Sequence, residues 1–319
     1  MQKLKTDIAP RDALIIIPTF QRSAALRNVL NSVMSELRTR HQVSILVVDN
    51  NPLPQEKAFI AKYQTNSRFP VHYLHAPEPG VSYARNAGLA WAKTRYVAFL
   101  DDDMEITADW LDALLRVSIL HGTAVVFGPV EARFPDNYKS LEPHIGRFYS
   151  RYGKTNYEGE IPMVYGTGGS LLDMAQIDPL NITFDPVHNQ SGGEDDAYFS
   201  QVEASGLRFG WSSNANAYEI VPEHRLTPNY ISRRNFGYGQ APSRLAIAKG
   251  RRGFTTLMRH MSVGFVQLLM FGSLYLFMRL LKRPKANKFL ALSARGLGKI
   301  FWMDRFRPKL YGPTSKKNG

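Results

Sequence analysis

The feature that most restricts the fold is a series of short, continuous apolar runs, rich in β-branched residues, that recur between helix-like stretches. Residues 13–18 (ALIIIP), 43–49 (VSILVVD), 71–76 (VHYLHA), 96–101 (YVAFLD) and 124–130 (AVVFGPV) are of this kind. Between them, residues 22–37, 55–64, 81–93 and 108–121 read as amphipathic helices. A run without polar alternation suits a strand buried on both faces, and strand–helix alternation predicts a mostly parallel sheet flanked by helices. Ligands of such sheets bind beyond the carboxyl ends of the strands. The polar residues there, Thr19, Arg22, Asp49, Asn50, Glu78 and Asp101 to Asp103, are expected on one rim. Residues 131–225 are less regular. They read as a surface excursion (133–160), strand character around Gly166-Thr167-Gly168-Gly169, an acidic loop entering a helix (192–205) and two short strands (207–211, 217–221).

The formal net charge of +13 averages two unlike parts. Residues 1–224 hold 20 Lys and Arg against 26 Asp and Glu; residues 225–319 hold 20 against one acid, Asp304. The front contains candidate carboxylate chemistry, and the back suits an anionic partner, either lipid headgroups or nucleic acid. Within the back lies an apolar run of 16 residues, 263–278. It is shorter than the roughly 20 residues a spanning helix needs. Eight Lys and Arg in 225–262 and eleven after Arg279 flank it, which disfavours sending either flank across a membrane. The expected arrangement is monotopic: a re-entrant or in-plane segment, then an amphipathic helix over 289–302. An apolar run inside the basic tail argues against nucleic acid, whose contacts need polar and stacking groups. The chain has no cysteine, so disulfides and thiolate metal sites are excluded. Residues 1–10 carry no apolar h-region, so no secretory signal is expected.

Three local patterns carry candidate chemistry. Phe99-Leu100-Asp101-Asp102-Asp103 ends a strand in three carboxylates, which repel one another unless a cation sits among them. Mg²⁺ or Mn²⁺ suits such oxygen ligands, and on an extended chain Asp101 and Asp103 point the same way. A solvated acidic turn or a helix cap has the same appearance. Ser191-Gly192-Gly193-Glu194-Asp195-Asp196 places acids at a helix start, suited to a carboxylate base or to ordinary capping. In the stretch from Glu78 to Gly88, Arg85 is placed to hold a diphosphate or orient Asp103, or to lie on the surface.

Taken in order, Ile15-Ile16-Ile17-Pro18-Thr19-Phe20-Gln21-Arg22, Val47-Val48-Asp49-Asn50, Ala84-Arg85-Asn86-Ala87-Gly88, Phe99-Leu100-Asp101-Asp102-Asp103 and Gly193-Glu194-Asp195 resemble the motif series of glycosyltransferase family 2. The stretch from Glu219 to Thr227 is similar to the bacterial exopolysaccharide, succinoglycan-type branch. The resemblance implies a GT-A fold: a Rossmann-like, mixed but mostly parallel sheet with flanking helices. It implies a domain over 1–225, with a nucleotide-sugar half (1–130) and an acceptor half (131–225), followed by a membrane-associating helical tail (226–319). It implies a nucleotide pocket lined by Pro18, Thr19 and Arg22, with Asp49 on the base, Arg85 on the diphosphate side and Asp102 beside the donor. It implies Asp101 and Asp103 as the DxD pair at ribose and metal, and Asp195, with Glu194 beside it, as the catalytic base.

The implied reaction is inverting transfer from a nucleotide-sugar, with a lean to UDP, to a hydroxyl of a glycan on a polyprenyl-diphosphate lipid. The implied cofactor is Mg²⁺ or Mn²⁺, and the expected place is the cytoplasmic face of the plasma membrane. Two positions depart from the pattern. Tyr218 stands where many relatives have a metal-ligating His, and Gly169 stands where many have Asn. A sugar-phosphate nucleotidyltransferase is the rival enzyme, but the segment after the first strand, Pro18-Thr19-Phe20-Gln21-Arg22, lacks the glycines it typically carries.

Overall fold

The computed structural model describes residues 11–189, 192–248, 250–283 and 286–308. Met1 to Pro10, Ser191, Lys249, Lys285 and the last basic residues therefore lie outside the described residues. Strands and helices alternate first: β1 (Asp12–Thr19), α1 (Ser23–Glu36), β2 (Gln42–Asp49), α2 (Lys57–Asn66), β3 (Val71–His75), α3 (Val81–Trp91) and β4 (Tyr96–Phe99). Next come β5 (Met104–Ile106), α4 (Trp110–His121), β6 (Val125–Phe127), β7 (Val130–Arg133), α5 (Glu142–Tyr149), β8 (Glu158–Ile161), β9 (Ser170–Asp173), α6 (Met174–Ile177), α7 (Glu194–Ala204), β10 (Phe209–Ser212) and β11 (Ala217–Ile220). The tail holds α8 (Pro228–Ala248), α9 (Phe254–Leu280) and α10 (Ala286–Ile300).

An eight-stranded sheet has the order β3-β2-β1-β4-β9-β6-β10-β8, and a three-stranded sheet the order β5-β11-β7. The first four strands of the large sheet are parallel; β9 enters antiparallel to both β4 and β6. The alternation of side chains explains the unbroken apolar runs. Ala13, Ile15 and Ile17 enter one core with Val29, Leu30, Ile45 and Val47. Leu14 and Ile16 enter the other with Leu46, Val48, Val97 and Phe99. Both faces of β1 are thus fully buried, and each Ile or Leu contributes about 1.5–3 kcal/mol through loss of water contact.

The run 124–130, read as one strand, is two. Residues 125–127 join the large sheet and 130–133 the small one. Pro129 lies between them and has no N–H for a ladder. The described residues group into two compact units, one from 11–133, 146–189 and 193–220, the other from 134–145, 192 and 221–308. In the second, α10 lies against α8 and α9. Ser243 and Gln240 donate to the carbonyls of Lys299 and Phe301, at 2.9 and 2.7 Å, and Lys299 donates to Gln267 at 2.9 Å. The apolar run belongs to a longer helix than its composition suggests. Residues 250–280 are long and apolar enough to cross a membrane, with a mean hydropathy of 1.7 over a window that is 6% buried.

Candidate functional site

The parallel pairing of β1 and β4, with Ile16 opposite Phe99, brings the residues after both strands to one rim. Beyond β4 the chain turns, and the Met104 N–H donates to the Asp101 carbonyl at 3.1 Å. This turn corrects the extended-chain expectation for the acids. Asp103 faces Arg22, whereas Asp101 faces Arg85. Thr19 Oγ1 donates to Asp102 Oδ2 at 2.9 Å, and Arg22 Nη1 donates to Asp102 Oδ1 at 2.9 Å and Asp103 Oδ2 at 2.8 Å. Burial pushes the Asp102 carboxyl up to about 7 against the pull of Arg22.

Arg85, on the second turn of α3, is the hub of the site. Its Nη1 donates to Asp195 Oδ1 at 2.6 Å and Glu194 Oε1 at 3.1 Å, and its Nη2 lies 3.5 Å from Asp101 Oδ1. The side chain is 4% exposed, with the Phe184 ring 5.4 Å away. Burial disfavours its charge, but Asp195, Asp101 and Glu194 more than offset this and hold the guanidinium charged far above neutral pH. Burial and the neighbouring Asp195 raise Glu194 above the usual carboxylate range, with Arg85 opposing. Arg85 therefore does not orient Asp103, one of the roles the sequence offered; it gathers acids that lie about 90 residues apart in the chain.

The glycine-rich segment 166–169 forms the third wall, and its threonine carries no signal in the sequence pattern. Thr167 donates its N–H to Asp195 Oδ2 at 3.0 Å and its hydroxyl to Asp195 Oδ1 at 2.5 Å. Gly168 approaches Asp101 so closely that a Cβ would fall inside van der Waals contact of Oδ2. Gly169 has φ of +72°, a left-handed conformation open to Gly and next most readily to Asn. Arg151, behind this loop, was not marked by the sequence either.

Other expectations are redirected. Both oxygens of Asp49 are occupied within the protein. Oδ1 accepts from the N–H and Nδ2 of Asn51, at 3.1 and 2.8 Å; Oδ2 accepts from the Glu56 N–H and the Tyr73 hydroxyl, each at 2.9 Å. Fully buried, Asp49 fixes the loop after β2. Pro18 is buried in β1 opposite Val48. Tyr218 lies beneath the Arg133 guanidinium, 3.5 Å from its ring centroid, in an open cleft of about 460 Å³ that also includes Glu105 and Asn28. Strand alternation places its neighbour Glu219 on the opposite face of β11.

Among the described residues no three acid or histidine side chains form a metal-binding cluster. Asp101 still fits Mg²⁺ or Mn²⁺, which takes one or two carboxylates and completes its shell with water and phosphate oxygens, whereas Asp103 is engaged by Arg22. Among the described residues the Asp101 carboxylate accepts no hydrogen bond; it faces Arg85 at 3.5 Å and is 39% exposed, open to a cation from the solvent side. A cation would satisfy it.

The family described as Glycosyl transferase family 2 matches residues 14–175. The succinoglycan biosynthesis protein ExoM of Rhizobium meliloti (strain 1021) is 30% identical over 232 residues, 72% of this chain and 74% of that protein. The GalNAc(5)-diNAcBac-PP-undecaprenol beta-1,3-glucosyltransferase of Campylobacter jejuni is 29% identical over 36% of each chain. The crystal structure of GalNAc-T7 with UDP, GalNAc and Mn²⁺ superposes with a TM-score of 0.55 at 15% identity, over 74% of this chain and 51% of that one. The large mixed sheet is a GT-A fold, and the chain is a glycosyltransferase that belongs to glycosyltransferase family 2.

Proposed function

We propose that the enzyme moves a sugar from a UDP-sugar to a hydroxyl of a lipid-linked glycan, with inversion at the anomeric carbon and with a divalent cation. The observation that carries this reading is the shared guanidinium: Arg85 holds Asp195 on one nitrogen and faces Asp101 with the other. The acid suited to the acceptor thus sits beside the acid suited to the donor. The Asp195 carboxylate takes the acceptor proton as the acceptor oxygen bonds to the anomeric carbon. The bond from that carbon to the diphosphate oxygen breaks, and the nucleoside diphosphate leaves with the electron pair. Proton transfer of this kind contributes about 10²–10⁴-fold. Thr167 and Arg85 orient the base, and in-line placement of the two substrates supplies much of the remaining acceleration. A Mg²⁺ or Mn²⁺ would be held by Asp101, and by Asp103 once released from Arg22, and would supply charge stabilisation for the leaving diphosphate. The UDP and Mn²⁺ of the GalNAc-T7 structure and the undecaprenol-linked name of the Campylobacter relative favour these assignments.

The tail reads as a monotopic anchor on the cytoplasmic face of the plasma membrane. Phe265, Val266, Leu269, Leu276 and Phe277 of α9 are exposed, and 20 Lys and Arg lie in 225–319. Apolar insertion and attraction to anionic lipid act together on such a segment. Flotation with vesicles containing phosphatidylglycerol should persist in 1 M salt, at which the Debye length is about 3 Å; release by salt alone would exclude apolar insertion. The activity itself is tested with a panel of nucleotide sugars and Mn²⁺ or Mg²⁺, reading nucleoside diphosphate release and the product's anomeric configuration. A retained configuration, or turnover indifferent to chelation, contradicts the mechanism.

A further inference from the structure

Arg151 takes no part in the chemistry above, yet it is bound up with the loop that carries Thr167. It packs against Phe127 and Tyr165, whose ring centroids each lie 5.9 Å from its guanidinium carbon. Inward-facing arginines commonly pair with a carboxylate. Among the described residues Arg151 instead donates to backbone carbonyls: Nε to Gly128 at 2.7 Å, Nη1 to Gly166 at 2.8 Å, and Nη2 to Gly168 at 2.9 Å and Gly169 at 3.3 Å. Three of these four acceptors belong to 166–169, where three glycines leave the backbone free to move. On its other side this loop donates the N–H and hydroxyl of Thr167 to Asp195. Burial lowers Arg151 to about 10, with Asp101 the leading opposing charge and Asp195 and Glu219 also facing it, so it stays charged at neutral pH.

We propose that Arg151 is a positioning residue for the transfer step: it clamps the carbonyls of Gly166, Gly168 and Gly169, and so holds Thr167 against Asp195 and aims that carboxylate at the acceptor. The inference rests on Asp195 being the base.

The test is a double-mutant cycle on the full chain, using Arg151→Met, Thr167→Val and the pair, with kcat from transfer and UDP affinity from calorimetry. Arg151→Met should lower kcat about 100-fold, as displacement of a reacting group by about 1 Å does, while the UDP Kd moves by less than about threefold. Because both side chains act on Asp195 through one loop, the double variant should be no slower than the slower single one. Arg151→Lys, which keeps the charge and some donors, should recover part of the rate. A normal kcat for Arg151→Met, or effects that multiply in the cycle, overturns the proposal. If Arg151→Met fails to fold, the same cycle with Arg151→Lys decides by the same criterion. Normal turnover by Asp195→Asn would instead remove the base assignment itself, and with it the ground for this role. An inactive Asp195→Asn with a multiplying cycle removes only the role of Arg151.

Discussion

At the scale of single residues, charge is held in place by short contacts that leave little slack. Gly168 lies against Asp101 Oδ2 with no room for a methyl group. Gly168→Ala should displace the acid and lower kcat by about 100-fold; wild-type turnover would mean that the loop gives way easily. Asp102 offers a test by pH. Its carboxyl is raised in the fold from 3.8 to about 7, by burial first and Asp103 second, against the pull of Arg22. An acid with a raised folded pKa adds stability in full below its unfolded value and loses it as pH climbs through the folded one. The urea midpoint of the ligand-free protein should therefore fall between about pH 4 and pH 7 through this group, and Asp102→Asn should flatten that slope. An unchanged slope in Asp102→Asn would assign the pH dependence elsewhere. Asp49 shows a motif position and a structural role meeting in one residue. Motif position put it at the base pocket, but four donors from its own loop and β3 occupy its oxygens.

At the scale of elements, the strands carry the fold. Ile16 is fully buried in β1 and packs in the core with Leu46, Val48 and Phe99. Ile16→Ala should destabilise the protein by about 2–5 kcal/mol in urea unfolding; a loss below about 1 kcal/mol would mean that the core closes over the gap. The parallel strands β1 to β4 were legible because burial on both faces leaves an unbroken apolar run. The split of residues 124–130 between two sheets was not, because Val125 and Val130 look alike in sequence and only their pairing partners differ. The length of α9 was missed for a related reason. Its first turns carry Thr255, Thr256, Arg259 and His260, which read as a basic flank, yet no proline interrupts the helix from Phe254 onward. Thr167 and Arg151 had no signal of their own. One hydroxyl among glycines, and one arginine donating to main-chain carbonyls, leave no periodicity.

At the scale of the whole molecule, the chain separates an acidic front, where the candidate catalytic carboxylates lie, from a basic, apolar back. The central claim concerns the front: Asp101, Glu194 and Asp195, remote in sequence, meet on one buried arginine and divide donor and acceptor chemistry between them. The most direct test is the single-turnover rate of Asp195→Asn, measured with saturating nucleotide sugar and metal under conditions where UDP affinity is known for both proteins. The account predicts a rate about 10²–10⁴-fold below wild type with UDP affinity preserved. A wild-type rate would contradict it.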